Sequence, residues 1–436
     1  MKNTVHESLQ AAVSKQIDLL WEDELAFLKK ITSYRSTLGN EAALQNFMAD
    51  YFQRVLGLEV DSFVPDIKSL SKHQAFSVPE WPYDGRPVVV GTALNGKVGN
   101  GKSLILQGHI DVVSAEPVAS WDYPPFEGTI EGNRMYGRGV QDMKSGVAAF
   151  VFAYRAIMEA GIELDAPLTL QSVIEEECTG NGALAALEKG YTADAALIPE
   201  PFGQKVVKAQ VGVIWTRITV KGVGAHTERA HQSVNAIEKS MVILNALKSY
   251  QSHVNSQPKH DDFKGHPHPL NVNIGKIHSG DWPSSVPSEC VMEARVGFYP
   301  GQDPQDIKDQ VKAWLLEKAC EDDWLKEHPP EILFYGFHAE GVALDDTTSL
   351  FHELEKSHEA VSGKPLERTE ITCTTDIRHY NLHYGIPATC YGPVGGNMHG
   401  INEWVDLDSL KEVTAVYADF ILRWCGIRTG DERGHS

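Results

Sequence analysis

The chain alternates strand-like and helix-like segments over about its first 211 residues and then abruptly changes order. Val88–Leu94 and Ser103–Val113 are apolar runs joined by a Gly-rich turn at Asn95–Lys102. Gly146–Ala160 (GVAAFVFAYRAIMEA) is long and apolar enough for a buried helix. Ala166–Ile174 and Ala193–Ile198 follow as strands, with Gly182–Lys189 as a helix between them. This alternation predicts an α/β sheet with helices on its faces. From Val213 the order becomes strand (Val213–Lys221), helix (Ser233–Ser249), strand (Leu270–Ile277), strand (Glu289–Tyr299), helix (Pro304–Ala319) and strand (Glu331–Gly336). The helix and the second strand are separated by a His- and Pro-rich loop, His253–Pro269. That order is a split βαβ unit of about 125 residues. The expected fold is therefore an α/β mixed-sheet domain, residues 1–212 and 338–436, interrupted by an α+β, ferredoxin-like domain at 213–337.

Charge narrows the partners. With 39 Lys+Arg against 59 Asp+Glu the chain carries −20, which argues against nucleic acid and against a basic membrane-surface element. It leaves anionic small substrates open, because a local Arg can overrule the global field. The six cysteines are scattered without a CxxC pair, so neither a zinc ribbon nor a disulfide scaffold is indicated. The first thirty residues read as an amphipathic helix rather than a signal peptide, and no apolar run reaches the roughly 18 residues of a membrane span. A cytoplasmic protein is expected.

Gly96–Ser103 (GKVGNGKS) matches the phosphate-binding GxxxxGK[ST] pattern, but that loop needs a helix directly after it. Here Leu104–His109 reads as a strand, so the segment is a hairpin turn. The stronger signal is a set of acids and histidines placed just after apolar strands. His109 and Asp111 lie in GHIDVV, where alternate residues share a strand face and a carboxylate can fix an imidazole tautomer. Taken alone, that motif is more often structural polar pairing. Asp142, in YGRGVQDMKSG, precedes the buried helix, where a helix cap is the plain alternative. Glu175-Glu176-Glu177 comes directly after an apolar strand, and a nearby cation would relieve the repulsion that a solvated loop would otherwise dissipate. Glu200 ends another strand, and His399 sits in the Gly-rich GPVGGNMHG. Together they place one His or acid at several strand ends, the edge where α/β sheets bind ligands.

These motifs, GHIDVV, YGRGVQDMKSG, EEE and the late GNMHG, resemble in order and spacing the dinuclear zinc aminoacylase/carboxypeptidase family, over nearly the whole chain. The family includes acetylornithine deacetylase and succinyl-diaminopimelate desuccinylase. The resemblance implies a zinc-peptidase-like catalytic domain with a lid and dimerisation domain inserted in it. It implies that His109 and Glu200 bind one zinc, Glu177 and His399 the other, and that Asp142 bridges them. Cobalt or manganese would be substitutes. By the same resemblance Asp111 orients His109 and Glu176 is the general base. The family usually has Asp-Glu-Glu where this chain has Glu175-Glu176-Glu177; the subsequent Cys-Thr-Gly-Asn-Gly keeps Glu176 as base and Glu177 as ligand.

The implied activity is hydrolysis of an amide in an N-acyl amino acid by a zinc-activated water. A dipeptidase or carboxypeptidase of the same family is the alternative, and a non-catalytic ligand-binding protein of this fold is the alternative of another class. No GxSxG elbow or HExxH helix is present. His226, in Gly224-Ala225-His226-Thr227, resembles the segment from which the family supplies a His to the partner's site in a homodimer. A substrate carboxylate calls for a bidentate Arg. Arg378, in TTDIR, resembles the family's Ser-Asp-x-Arg segment; Arg295 is a second candidate, for which a structural salt bridge serves as well, and Asn273 a further substrate contact.

Overall fold

The computed structural model describes residues 2–93, 99 and 101–428, with side chains from Ser8 onward. Most of the Gly-rich turn that carries the GxxxxGK[ST] match therefore lies outside the described residues. In chain order the main strands are β1 (Glu59–Phe63), β2 (Val88–Ala93), β3 (Leu104–His109), β4 (Leu168–Val173), β5 (Ala195–Ile198), β6 (Gly212–Lys221), β7 (Val272–Ser279), β8 (Glu289–Phe298), β9 (Glu331–Ala339) and β10 (Ala388–Cys390). The helices that matter to the site and its frame are α1 (Lys2–Thr32), α2 (Ser145–Glu159), α3 (Asn181–Glu188), α4 (Ala236–Ser256), α5 (Pro304–Ala319) and α6 (Leu407–Cys425).

Six strands form the first sheet in the order β1-β2-β4-β3-β5-β10. β4, β3, β5 and β10 run parallel, and β2 and β1 are antiparallel to their neighbours. The sheet is thus mixed, with its parallel half carrying the near-continuous apolar runs that two covered faces require. Val147–Ala153 of α2 are all buried, because the helix is sandwiched between the sheet and the helices α1 and α6. Its first turn comes very close to the end of β5: a Cβ on Gly146 would stand 2.3 Å from the Pro199 carbonyl oxygen. Only glycine allows that approach, and it draws the segment before α2 toward the residue after β5.

The second sheet, β7-β8-β6-β9, is antiparallel throughout, with Leu247 of α4 and Val311 of α5 in one core with Ile218 and Met292 of the sheet. In chain order this is the 4-1-3-2 arrangement of a ferredoxin-like unit. Its first and last strands are paired, Val213 opposite Ala339, so the chain leaves and re-enters the first unit at one place. The fold is α/β with an inserted α+β unit. α4 continues to Ser256, into the stretch expected to be loop, because Asn255 fastens its last turn by bonding both the N–H and the carbonyl of Leu270. No helix among the described residues is long and apolar enough to cross a membrane.

Candidate active site

The parallel strands β4, β3 and β5 end side by side, and each leads into residues of the site. β3 ends on His109 itself, β4 runs on into Glu175–Glu177 and β5 into Glu200. After β10 the chain passes through the Gly-rich loop that presents His399. Asp142 arrives from the segment just before α2. This is the carboxyl edge of a parallel sheet, where neighbouring strand ends diverge and leave a crevice.

Asp142 stands between two imidazoles. Its Oδ1 lies 3.1 Å from Nε2 of His109, and its Oδ2 lies 3.3 Å from Nε2 of His399. Glu200 Oε1 approaches His109 Nε2 at 3.7 Å, and Glu176 Oε2 at 3.9 Å. On the other side, Glu177 Oε2 lies 3.1 Å from His399 Nε2. His109 is fully buried, whereas half of the His399 side chain (49%) is exposed. Donor atoms of His109, Glu176 and Glu200, and of His109, Asp142 and Glu177, lie close enough together to ligate one ion.

The electrostatics fit that use. Burial, and then Glu200, push Glu176 well above the usual carboxylate range; burial, and then Asp142, do the same to Glu200. Burial of Asp142 is outweighed by its bonds to His109 and His399, which hold it low. His399 is raised to about 11, chiefly by Glu177. His109 is raised well above its ordinary value: burial opposes this, but Asp142, Asp111 and the other carboxylates prevail. Glu176 Oε1 is buried with no partner among the described residues. Two imidazoles and several carboxylates, crowded together in a buried crevice, are a donor set that could hold metal ions.

Asp111 acts somewhat differently from expectation. Its main-chain carbonyl, 3.0 Å from His109 Nδ1, is closer than its carboxylate oxygen at 3.7 Å. The carboxylate accepts the backbone N–H groups of Glu176 and Glu177, at 3.3 and 3.1 Å, and so fixes the turn that carries both. Burial lifts its pKa to about 7.

The predicted substrate residues divide. Arg378 is a correction: it is fully buried, and its guanidinium donates to the carbonyls of Thr375 (3.0 Å) and Thr179 (2.8 Å). It braces the loop behind the site and presents no surface to a substrate carboxylate. Arg295 reaches from β8 of the inserted unit to the Thr372 carbonyl, 2.8 Å away, next to Cys373. Arg295 thus ties the inserted unit to the segment that carries Cys373. Asn273 is exposed and directly opposite Arg295 in the adjacent strand. His226 is exposed on the inserted unit, its Nδ1 accepting the N–H of Glu228, and none of its contacts is with the site of its own chain.

Sequence reasoning missed the frame around Glu175. This residue is buried with φ 62, and its carboxylate takes a bond from Arg86 (2.5 Å), a bond from Tyr83 and one from Thr179 (2.9 Å). Arg86 also pairs with buried Glu41 at 2.9 Å. The stretch 77–86 continues as a strap. Ser77 exchanges two bonds with Asn181 and accepts the N–H of His338, Val78 accepts the N–H of Gly336, and Glu80 pairs with Arg217. It thus joins the Glu175–Asn181 segment to the inserted unit. Only the oddity of three consecutive acids hinted at this.

Residues 105–423 match the model of peptidase family M20/M25/M40. The chain is 29% identical to an N-formyl-4-amino-5-aminomethyl-2-methylpyrimidine deformylase of Halalkalibacterium halodurans, covering 98% of this chain and 99% of that protein. It is 27% identical to the deformylase of the same description from Bacillus subtilis, over 95% and 97% of the two chains. Among solved structures, the di-peptidase Dug1p from Saccharomyces cerevisiae superposes with a TM-score of 0.77 at 16% identity, covering 95% of this chain and 98% of that one. With its mixed sheet, its inserted unit and its clustered His and carboxylate side chains, the chain belongs to peptidase family M20/M25/M40, a family of dinuclear metallohydrolases that cleave amide bonds.

Proposed function

We propose that the chain is a zinc-dependent deacylase that hydrolyses the amide of a small N-acyl compound. The observation that carries this reading is Asp142, with one oxygen turned to His109 and the other to His399, beside a Glu176 whose Oε1 has no partner. His109, Asp142 and Glu200 would hold one ion, and Asp142, Glu177 and His399 the other. When bound, the ions supply Lewis acidity for the amide carbonyl and lower the pKa of water. Glu176 takes the proton of the attacking water on Oε1 and returns it to the leaving amine. Asp111 holds the backbone of Glu176 still, through the N–H groups of Glu176 and Glu177. Zinc is the metal that suits this donor set best, with cobalt or manganese as substitutes.

The relatives similar over nearly their whole length are both named as deformylases of an aminopyrimidine, which supports a short acyl group and an amine leaving group. An N-acyl amino acid would meet Arg295 and Asn273 from the inserted unit. The division into 1–212, 213–337 and 338–436, with the middle part a lid and dimerisation domain carrying His226 to the partner's site, is part of this proposal, as is a cytoplasmic location. A second reading, a dipeptidase, is favoured by the likeness to Dug1p.

The deciding measurement is turnover of the metal-reconstituted protein on the N-formyl aminopyrimidine, on N-formyl, N-acetyl and N-succinyl amino acids, and on dipeptides, with chelator controls. Hydrolysis of one N-acyl class that stops on chelation and returns with zinc is expected. Preference for dipeptides selects the second reading, and inertness toward every amide at full metal occupancy overturns both.

A further inference from the structure

Outside the proposed ligands, one buried ion pair touches the backbone on both sides of the centre. Glu403 (1% exposed) lies four residues after His399, and Arg138 (2% exposed) precedes Asp142 by four. Glu403 Oε1 accepts the N–H groups of Gln141 (2.9 Å) and Asp142 (3.1 Å). Its Oε2 accepts the N–H of Gly139 at 3.1 Å and Nη1 of Arg138 at 2.5 Å. The backbone joins in, with Gly137 N–H donating to the Glu403 carbonyl at 2.9 Å. Arg138 Nη2 in turn donates to the carbonyls of His399 (3.3 Å), Gly400 (3.0 Å) and Ser114 (3.1 Å).

The pairing is reciprocal: the carboxylate from the His399 loop is spent on the turn that presents Asp142, and the guanidinium from the Asp142 turn is spent on the His399 loop. A carboxylate with four N–H donors has no rotational freedom left, and the planar fork of Arg reaches several carbonyls at fixed angles. We infer that Arg138 and Glu403 are a positioning pair that locks the Asp142 turn and the His399 loop into one unit, so that the bridging carboxylate and the second imidazole are set against each other before any ion arrives. The inference rests on the proposed roles of Asp142 and His399 as metal ligands. The ion served by His109 and Glu200 receives only Asp142 through this device, whereas the ion served by Glu177 and His399 receives both of its locked ligands. Loosening the pair should therefore weaken the second ion more than the first.

The test is cobalt(II) titration of the metal-free full chain, monitored by visible absorption and calorimetry, for wild type, Glu403→Gln and Arg138→Lys. Gln keeps the shape but replaces an acceptor by a donor; Lys keeps the charge but loses the fork. Wild type is expected to take two ions. Each variant is expected to keep the first near wild-type affinity and to bind the second about 10- to 100-fold more weakly, the range for groups that orient ligands. The thermal midpoint of the metal-free variants separates this from unfolding, and the milder Arg138→Lys keeps the test open if Glu403→Gln folds poorly. Second-ion affinity unchanged in both variants, or both ions weakened equally alongside a collapsed midpoint, overturns the inference while leaving the site reading intact. A wild type that takes no cobalt overturns the site reading, and the inference with it.

Discussion

At the scale of single residues, the carboxyl edge of the sheet concentrates charge that protein groups alone neutralise poorly. Asp142, Glu177 and Glu200 beside His109 and His399 raise both imidazoles above their ordinary range and so favour their protonated forms. An ion is bound by neutral imidazole, so loading the site must expel those protons. Calorimetry in buffers of different ionisation heat should therefore record proton release on zinc binding near neutral pH, and affinity should weaken as pH falls. Binding without proton exchange would contradict this. The linked effect on the metal-free fold has a definite sign. The His399 pKa is raised, so its contribution is complete below the unfolded value of about 6.5 and is lost as pH rises toward about 11. Glu176 is buried, and one of its oxygens has no partner among the described residues. Glu176→Ala should lower kcat by about 10²- to 10⁴-fold, the usual share of a general base, while metal content by atomic absorption stays at the wild-type level. Near-normal turnover in that variant would remove Glu176 from the mechanism.

At the scale of elements, the strap 77–86 ties the catalytic turn down. Arg86 is enclosed between Glu41 and Glu175, so Arg86→Met leaves two buried carboxylates without their cation. The cost should be about 3–5 kcal/mol, read as a lowered urea midpoint, and because Glu175 adjoins Glu176 the loss of kcat should exceed the loss of metal. A stability within error of wild type would show that the pair contributes little. This strap marks where the sequence stops being legible. β3, α2 and α5 are set by apolar periodicity and need no tertiary information, and the acids after β4 and β5 stand out because a charged residue directly succeeds an apolar strand. The stretch Ser77–Arg86 has no period; its Pro, Asp and Gly are turn formers, and its long-range bonds reach residues 45 to 261 positions away. Arg378 failed for a related reason. A local motif identifies a guanidinium but not its depth, and here the backbone carbonyls of Thr179 and Thr375 claim it. His109, Asp142, Glu177 and His399 each stand in a motif of their own, and what the fold adds is their proximity.

At the scale of the whole molecule, Arg295 of the inserted unit bonds the Thr372 carbonyl of the first unit, while His226 on the same unit is exposed, its Nδ1 accepting the N–H of Glu228. If His226 serves a partner's site, two inactive variants should repair each other. Mixing Glu176→Ala with His226→Ala chains under subunit exchange would give heterodimers with one intact site, and activity should rise from near zero to a substantial fraction of wild type. Mixtures that stay inactive, although exchange is shown by mass, would confine each site to its own chain.

The pairing of Val213 with Ala339 has a further bearing on how such a chain can be altered. Where the two ends of an insertion are neighbours, the host loses no strand when the insertion is removed. A short Gly/Ser link from Val211 to Glu340 should leave a host that still folds and still binds two ions, but without Arg295 or His226 to meet a substrate. Metal uptake and amide turnover, joined in the intact chain, would then be separable by genetics into a scaffold that loads and a visor that selects.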